Sequence, residues 1–184
     1  SNTGLKVSLL SLGTMMFGGQ TSESDSLDII HYSYDHGVNF FDTADEYTGG
    51  ESERILGKAL KGRRDEAIIA TKVSCQTGKN INDSGLSRRH ILSGVENSLK
   101  RLNTDYIDIY YMHLPDKKTA LEETLHTMSG LVDAGKVRYY GVSNYPAWQI
   151  ADMLALCDKR NYVPPTVTQY VYNLITRGLE TEFI

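Results

Sequence analysis

Four side chains in this sequence are of types that together can move a proton onto a carbonyl oxygen: Asp42, Tyr47, Lys72 and His113. Reducing a carbonyl with a hydride requires a proton donor at the oxygen. A tyrosine hydroxyl ordinarily titrates near 10, which holds the proton too tightly for efficient transfer. A neighbouring ammonium stabilises the phenolate and lowers that value, and Lys72 is the candidate. Asp42 would keep Lys72 charged and in place, and His113 could hydrogen-bond the carbonyl and orient it. Ser143, Asn144 and Gln169 add neutral donors and acceptors of the kind a nicotinamide carboxamide needs.

Other chemistry remains open at these positions. Asp42 and Lys72 could be a structural ion pair. Asp42 and Glu46 could be a glycosidase carboxylate pair. Asp45, Glu46 and Asp116 could join His113 around a metal, although acidic loop residues are more often simply solvated. No metal is expected among these residues. Arg88 and Arg89 read as a solvated helix face, and Met15, Met16 and Trp148 as packing.

The elements that must position these groups follow from the apolar pattern. Short runs rich in Ile, Val and Tyr occur at residues 9–16, 38–41, 67–71, 107–112, 139–142 and 166–172. Apolar on successive positions, they suit parallel strands buried on both faces. Amphipathic helices fall between them. Ile91, Val95, Leu99 and Leu102 make one apolar stripe, and Leu121, Leu125, Met128 and Val132 another. Gly37, Gly62 and Gly135 mark helix ends, and Ser87 is a candidate N-cap. Strand alternating with helix implies α/β architecture with a parallel sheet. No glycine-rich phosphate loop follows the first strand, which argues against a dinucleotide-binding open sheet and for a barrel. The expected fold is a (β/α)8 TIM barrel, incomplete at about six of eight units, forming a single domain over residues 1–184. In such barrels the reactive groups stand at the C-terminal strand ends, where all seven residues named above fall.

Bulk properties narrow the partners. A net charge of −4 without a basic cluster argues against nucleic acid. No apolar stretch is long enough for a bilayer, and Ser1-Asn2-Thr3 does not open a signal peptide. Cys75 and Cys157 read as free thiols in a reducing cytoplasm.

The segments around these residues resemble the aldo-keto reductase family. Gly13-Thr14-Met15-Met16-Phe17-Gly18 is similar to its first strand. Phe40-Phe41-Asp42-Thr43-Ala44-Asp45-Glu46-Tyr47, followed by Gly50 and Ser52-Glu53, resembles its signature around an Asp and a Tyr. Ala70-Thr71-Lys72, His113-Leu114-Pro115-Asp116, Gly141-Val142-Ser143-Asn144 and Gln169…Tyr172-Asn173-Leu174 complete the match. The last features look closest to the branch holding potassium-channel β subunits and bacterial aryl-alcohol-type reductases. The resemblance implies NADPH-dependent reduction of a small-molecule aldehyde or ketone, with Asp42, Tyr47, Lys72 and His113 as the catalytic tetrad. Ser143, Asn144 and Gln169 carry over as contacts to the nicotinamide end. The alternative is a non-catalytic or regulatory subunit of the same fold that senses the cofactor, or an inactive fragment of a longer reductase. The resemblance stops where a seventh strand would begin, and the family's pyrophosphate and adenosine 2′-phosphate contacts lie beyond that point. The preference for NADPH over NADH therefore rests on the family alone. Open barrel edges would favour self-association.

Overall fold

The computed structural model describes residues 3–183. Its strands are β1 (Ser11–Gly13), β2 (Phe40–Asp42), β3 (Ile68–Val73), β4 (Ile107–Met112), β5 (Val137–Ser143) and β6 (Val167–Gln169). Helices α1 (Glu23–Asp35), α2 (Glu51–Ala59), α3 (Arg88–Leu102), α4 (Leu121–Asp133) and α5 (Ala147–Arg160) connect them in order, and α6 (Leu179–Glu182) follows β6. All neighbours pair in parallel, in the order β1-β2-β3-β4-β5-β6.

This sheet curls. In a flat sheet, β2 and β6 would stand about 19 Å apart, four interstrand spacings. Yet the Gln169 amide of β6 donates to the Asp42 carboxylate of β2 at 2.9 Å. The six units form an incomplete (β/α) barrel of the α/β class, with helices outside.

Period-two alternation builds two apolar layers. Phe41, Ile69, Tyr110, Met112, Tyr140 and Val142 point outward into the main core under the helices. Ala70, Ile109 and Tyr111 point inward, packed with Phe40, Ile68, Tyr139 and Val167. Polar groups replace the inward apolar ones only near the C-terminal strand ends. At the opposite end, Arg64 holds Asp108 at 2.7 Å, and Asp108 accepts from the Ile69 amide at 3.0 Å. That pair locks β3 to β4 far from the candidate site.

The helix boundaries have local causes. Ser22 and Ser87 cap α1 and α3, accepting from Asp25 N and His90 N. The helices α3 and α5 end on Asn103 and Asn161 in the left-handed region, with φ of 52° and 56°. Asparagine tolerates that region because its side chain can hydrogen-bond locally.

The edges depart from expectation. Strands expected at residues 9–16 and 166–172 pair over three residues each. Each has one neighbour, and the ladder ends where that neighbour turns away. Leu9 and Leu10 are therefore exposed, as are Val171 and Tyr172. Met15 and Met16, expected in the core, lie in the exposed turn after β1, and Trp148 is 63 % exposed on α5. An apolar run signals burial only where a second layer covers it. Among the described residues, no helix is long and apolar enough to cross a membrane.

One packing contact sets the approach of α2 to α3. A Cβ built on Gly57 would lie 2.4 Å from the Leu102 carbonyl oxygen. Helix propensity alone favours alanine there by about 1 kcal/mol, but the obstacle is backbone and cannot move aside. Gly57→Ala should therefore destabilise the fold by roughly 1–3 kcal/mol, as overpacking does. Urea unfolding measures it; a stabilised variant would show that the two helices are free to separate.

Candidate active site

The site is assembled from strand ends. Asp42 closes β2, with its carbonyl held by the Thr14 amide and hydroxyl, both at 2.9 Å. Lys72 occupies the fifth position of β3, on the inward face opposite Tyr111 of β4. The His113 amide donates to the Val73 carbonyl at 2.9 Å, so it stands one step beyond β4. Tyr47 starts a 3-10 turn, Tyr47–Gly50, that leads into α2. Thr48, next in the chain, sits at φ 49°, and its hydroxyl donates to the Phe17 carbonyl at 2.7 Å. A β-branched residue in that region costs energy and persists because its surroundings hold it.

Lys72 is the centre of the arrangement. Only 1 % exposed, its ammonium donates to Asp42 Oδ1 at 2.6 Å, to the Thr43 carbonyl at 2.6 Å and to the Tyr47 hydroxyl at 3.3 Å. These contacts use all three donors of a lysine. The Tyr47 and His113 rings meet edge to face, with centroids 6.0 Å apart. Asp42, Tyr47, Lys72 and His113 therefore converge at one mouth.

The three remaining residues stand on the same rim. Ser143 ends β5 and is buried; Asn144 follows it at φ 63°. The Asn144 amide donates to both Ser143 Oγ and the His113 carbonyl, each at 3.0 Å. Gln169 ends β6, and its amide is turned to Asp42 Oδ2.

Burial sets the protonation. Burial, with the Asp42 and Glu46 charges behind it, pushes the Tyr47 phenol well above its ordinary value. The lowering expected from Lys72 does not prevail, because two carboxylates and desolvation act against one ammonium. Burial also pulls Lys72 below the usual lysine range, opposed chiefly by Asp42. His113 is lowered by burial and by the Lys72 charge, so it is neutral at pH 7. With both oxygens engaged by Lys72 and Gln169, Asp42 is placed as an ion-pair partner rather than as one of two glycosidase carboxylates.

One loop acid departs from the expectation of a solvated side chain. Asp45 is 3 % exposed, and among the described residues neither oxygen finds a side-chain hydrogen-bond partner. Burial and the nearby Glu53 charge raise it to about 8, so it is predominantly protonated at pH 7. Glu53 is itself buried, held by Arg101 at 2.5 Å and by the Thr71 hydroxyl at 2.6 Å. Asp116 staples a loop away from the mouth, accepting from Leu86 N, Lys118 N and the Thr119 hydroxyl. Burial pushes Asp116 up, but those hydrogen bonds outweigh it and hold it low. Sequence reasoning also passed over Cys75, whose sulfur lies 3.7 Å from His113 Nδ1. Its position three residues after Lys72, on the same strand end, was the available signal. Both cysteines are free.

A family model described as "Aldo/keto reductase family" matches residues 9–184. A probable voltage-gated potassium channel subunit beta of Arabidopsis thaliana is 42% identical over 187 residues, covering 99% of this chain and 57% of that protein. A protein of the same description from Oryza sativa subsp. japonica is 40% identical, with the same coverage. The aldo-keto reductase YhdN of Bacillus subtilis (strain 168) is 41% identical over 186 residues, covering 98% of this chain and 54% of its own length. The chain thus spans about half the length of these curated relatives.

The buried ion pair makes a stability prediction. Lys72→Met leaves the Asp42 carboxylate buried without its cation, and should cost about 3–5 kcal/mol. Adding Asp42→Asn removes the stranded charge, so the double variant should recover most of that loss. Urea unfolding of the four proteins of the cycle measures the coupling; simple additivity would show that the pair is not energetically linked.

Proposed function

Since the chain belongs to the aldo/keto reductase family, we propose that it carries the proton-transfer site of an NADPH-dependent reductase of aldehydes or ketones, with Tyr47 as general acid. The observation that carries this reading is the Lys72 ammonium, in contact with Asp42 on one side and the Tyr47 hydroxyl on the other. When bound, the reduced nicotinamide would supply the hydride. The hydroxyl and amide groups of Ser143, Asn144 and Gln169 on the rim suit a neutral carboxamide, which supports the fit.

The roles of this chain's residues follow from their surroundings. A phenol raised by burial stays protonated at neutral pH and so arrives at the substrate as a donor. Once the proton has gone, the phenolate needs a cation within reach, and Lys72 lies 3.3 Å away. His113, neutral and at the edge of the Tyr47 ring, can hydrogen-bond the same carbonyl oxygen and fix its direction. Asp42 keeps Lys72 aimed; Gln169 keeps Asp42 aimed.

The second reading is a regulatory subunit that holds the cofactor without sustained turnover. It is favoured by the names of the plant relatives, described as probable channel β subunits. Turnover of a generic aldehyde such as nitrobenzaldehyde separates the two, since a pure sensor binds NADPH without steady-state oxidation.

For the reductase reading, Tyr47→Phe in the complete enzyme removes the donor and keeps the ring. We expect kcat to fall by roughly 10²-fold or more, the range of general acid catalysis, with NADPH affinity nearly unchanged by fluorescence titration. Equal kcat for variant and parent would exclude Tyr47 as the acid.

A further inference from the structure

Beside Tyr47, three side chains of different chemistry turn their ligand atoms toward one point. Glu46 offers a carboxylate oxygen, Cys75 its sulfur and His113 Nδ1, all within 4.8 Å of one another. The His113 Nδ1 lies 3.4 Å from Glu46 Oε1 and 3.7 Å from Cys75 Sγ. Metal–ligand lengths for zinc are close to 2.0–2.1 Å for nitrogen, 2.0–2.2 Å for oxygen and 2.3 Å for sulfur. A tetrahedron with those arms has edges of about 3.3 Å between nitrogen and oxygen and about 3.6 Å between sulfur and nitrogen. The two measured separations match those edges to about a tenth of an ångström, before any side chain has moved.

We propose that Glu46, Cys75 and His113 form a binding site for Zn2+ at the barrel mouth, with the fourth position open to water. The scaffold is firm where precision matters. Cys75 and His113 follow β3 and β4, which pair through Val73 and Met112 at their last rungs. Glu46 is the adjustable arm, on the loop after β2 with its side chain about one-third exposed. The donor set selects the ion. One sulfur and one imidazole with a single oxygen suit a borderline-soft dication, whereas Mg2+ and Ca2+ require mostly oxygen ligands. Three protein ligands and an open position give an exchangeable rather than a structural site. On binding, the Cys75 thiol gives its proton to buffer and its sulfur bonds the metal as thiolate. The claim concerns binding and stands apart from the reductase reading, although the ion would occupy His113 Nδ1 next to Tyr47.

The test uses the 184-residue chain, stripped with a chelator and titrated with Co2+ as a spectroscopic probe, then with Zn2+ as competitor. One equivalent of Co2+ should give a thiolate-to-cobalt charge-transfer band, which Zn2+ abolishes. Cys75→Ser should lose the band and weaken Zn2+ binding by at least ~10-fold, the lower end of what even outer-shell ligand partners contribute. Glu46→Gln should keep the band, since the sulfur remains, while weakening the affinity. Cys157→Ser should leave both unchanged, because Cys157 lies buried on α5 away from the mouth. Absence of the band in the parent, its survival in Cys75→Ser, or its loss in Cys157→Ser would each overturn the proposal, leaving an ordinary hydrogen-bonded cluster of thiol, imidazole and carboxylate.

Discussion

A buried ammonium must find partners for every proton it carries, and Lys72 imposes that requirement on the whole mouth. Desolvating an ion costs several kcal/mol unless excellent geometry offsets it. Here the offset comes from Asp42, the Thr43 carbonyl and Tyr47 together. All three lie on β2 or the loop that leaves it, so the register between β2 and β3 is what lets the ammonium be satisfied. Asp42 pairs with Ala70, two positions before Lys72 on the same face. A slip of one residue would turn Lys72 outward into the apolar layer beneath the helices.

The curl of the sheet serves the same requirement from the other side. Asp42 has a second oxygen, and leaving it bare in a half-buried mouth would cost a hydrogen bond. The Gln169 amide supplies it from β6. The last strand thus communicates with the second across the mouth rather than through the intervening ladder. Gln169 was expected to face a nicotinamide carboxamide; its contact here is with Asp42. Beneath the mouth, a hydroxyl knot of Thr14, Thr43 and Ser52, with Ser52 Oγ 2.7–2.8 Å from each of the other two, ties the end of β1 and the β2 loop to the start of α2. It fixes the loop from which Tyr47 projects.

Much of this was legible in the sequence because parallel strands and amphipathic helices leave different apolar periods. The apolar run at residues 107–112 predicts a strand and the pattern over 88–102 a helix capped by Ser87, and both stand at those boundaries. The convergence of Asp42, Tyr47, Lys72 and His113 was legible for a related reason: a polar residue that interrupts an apolar run at its C-terminal end has only the rim to occupy. Hidden features were those that depend on layers rather than runs. Met15 and Met16 look like core until the turn after β1 is seen to leave them exposed. Asp45 looks solvated until α3 is packed over it, with Gly94 leaving so little room that a Cβ there would touch the Tyr110 hydroxyl at 3.1 Å. No spacing rule in the sequence places Asp45 behind the mouth rather than on it.

The direction of the Tyr47 shift follows from the same layering. Reasoning from neighbours alone, one ammonium beside a phenol lowers its pKa. In the folded mouth, Asp42 and Glu46 oppose that ammonium, while Asp45 is predominantly protonated and contributes little further charge at pH 7. Burial then disfavours the charged form of both partners, raising the phenol and lowering the amine. The resting mouth therefore favours Tyr47 with its proton. Lys72 keeps its charge against desolvation chiefly through Asp42, and Asp42 is held in place by Gln169. A phenol so arranged keeps its proton in the resting mouth, and the cation that would stabilise a phenolate is already at hydrogen-bonding distance.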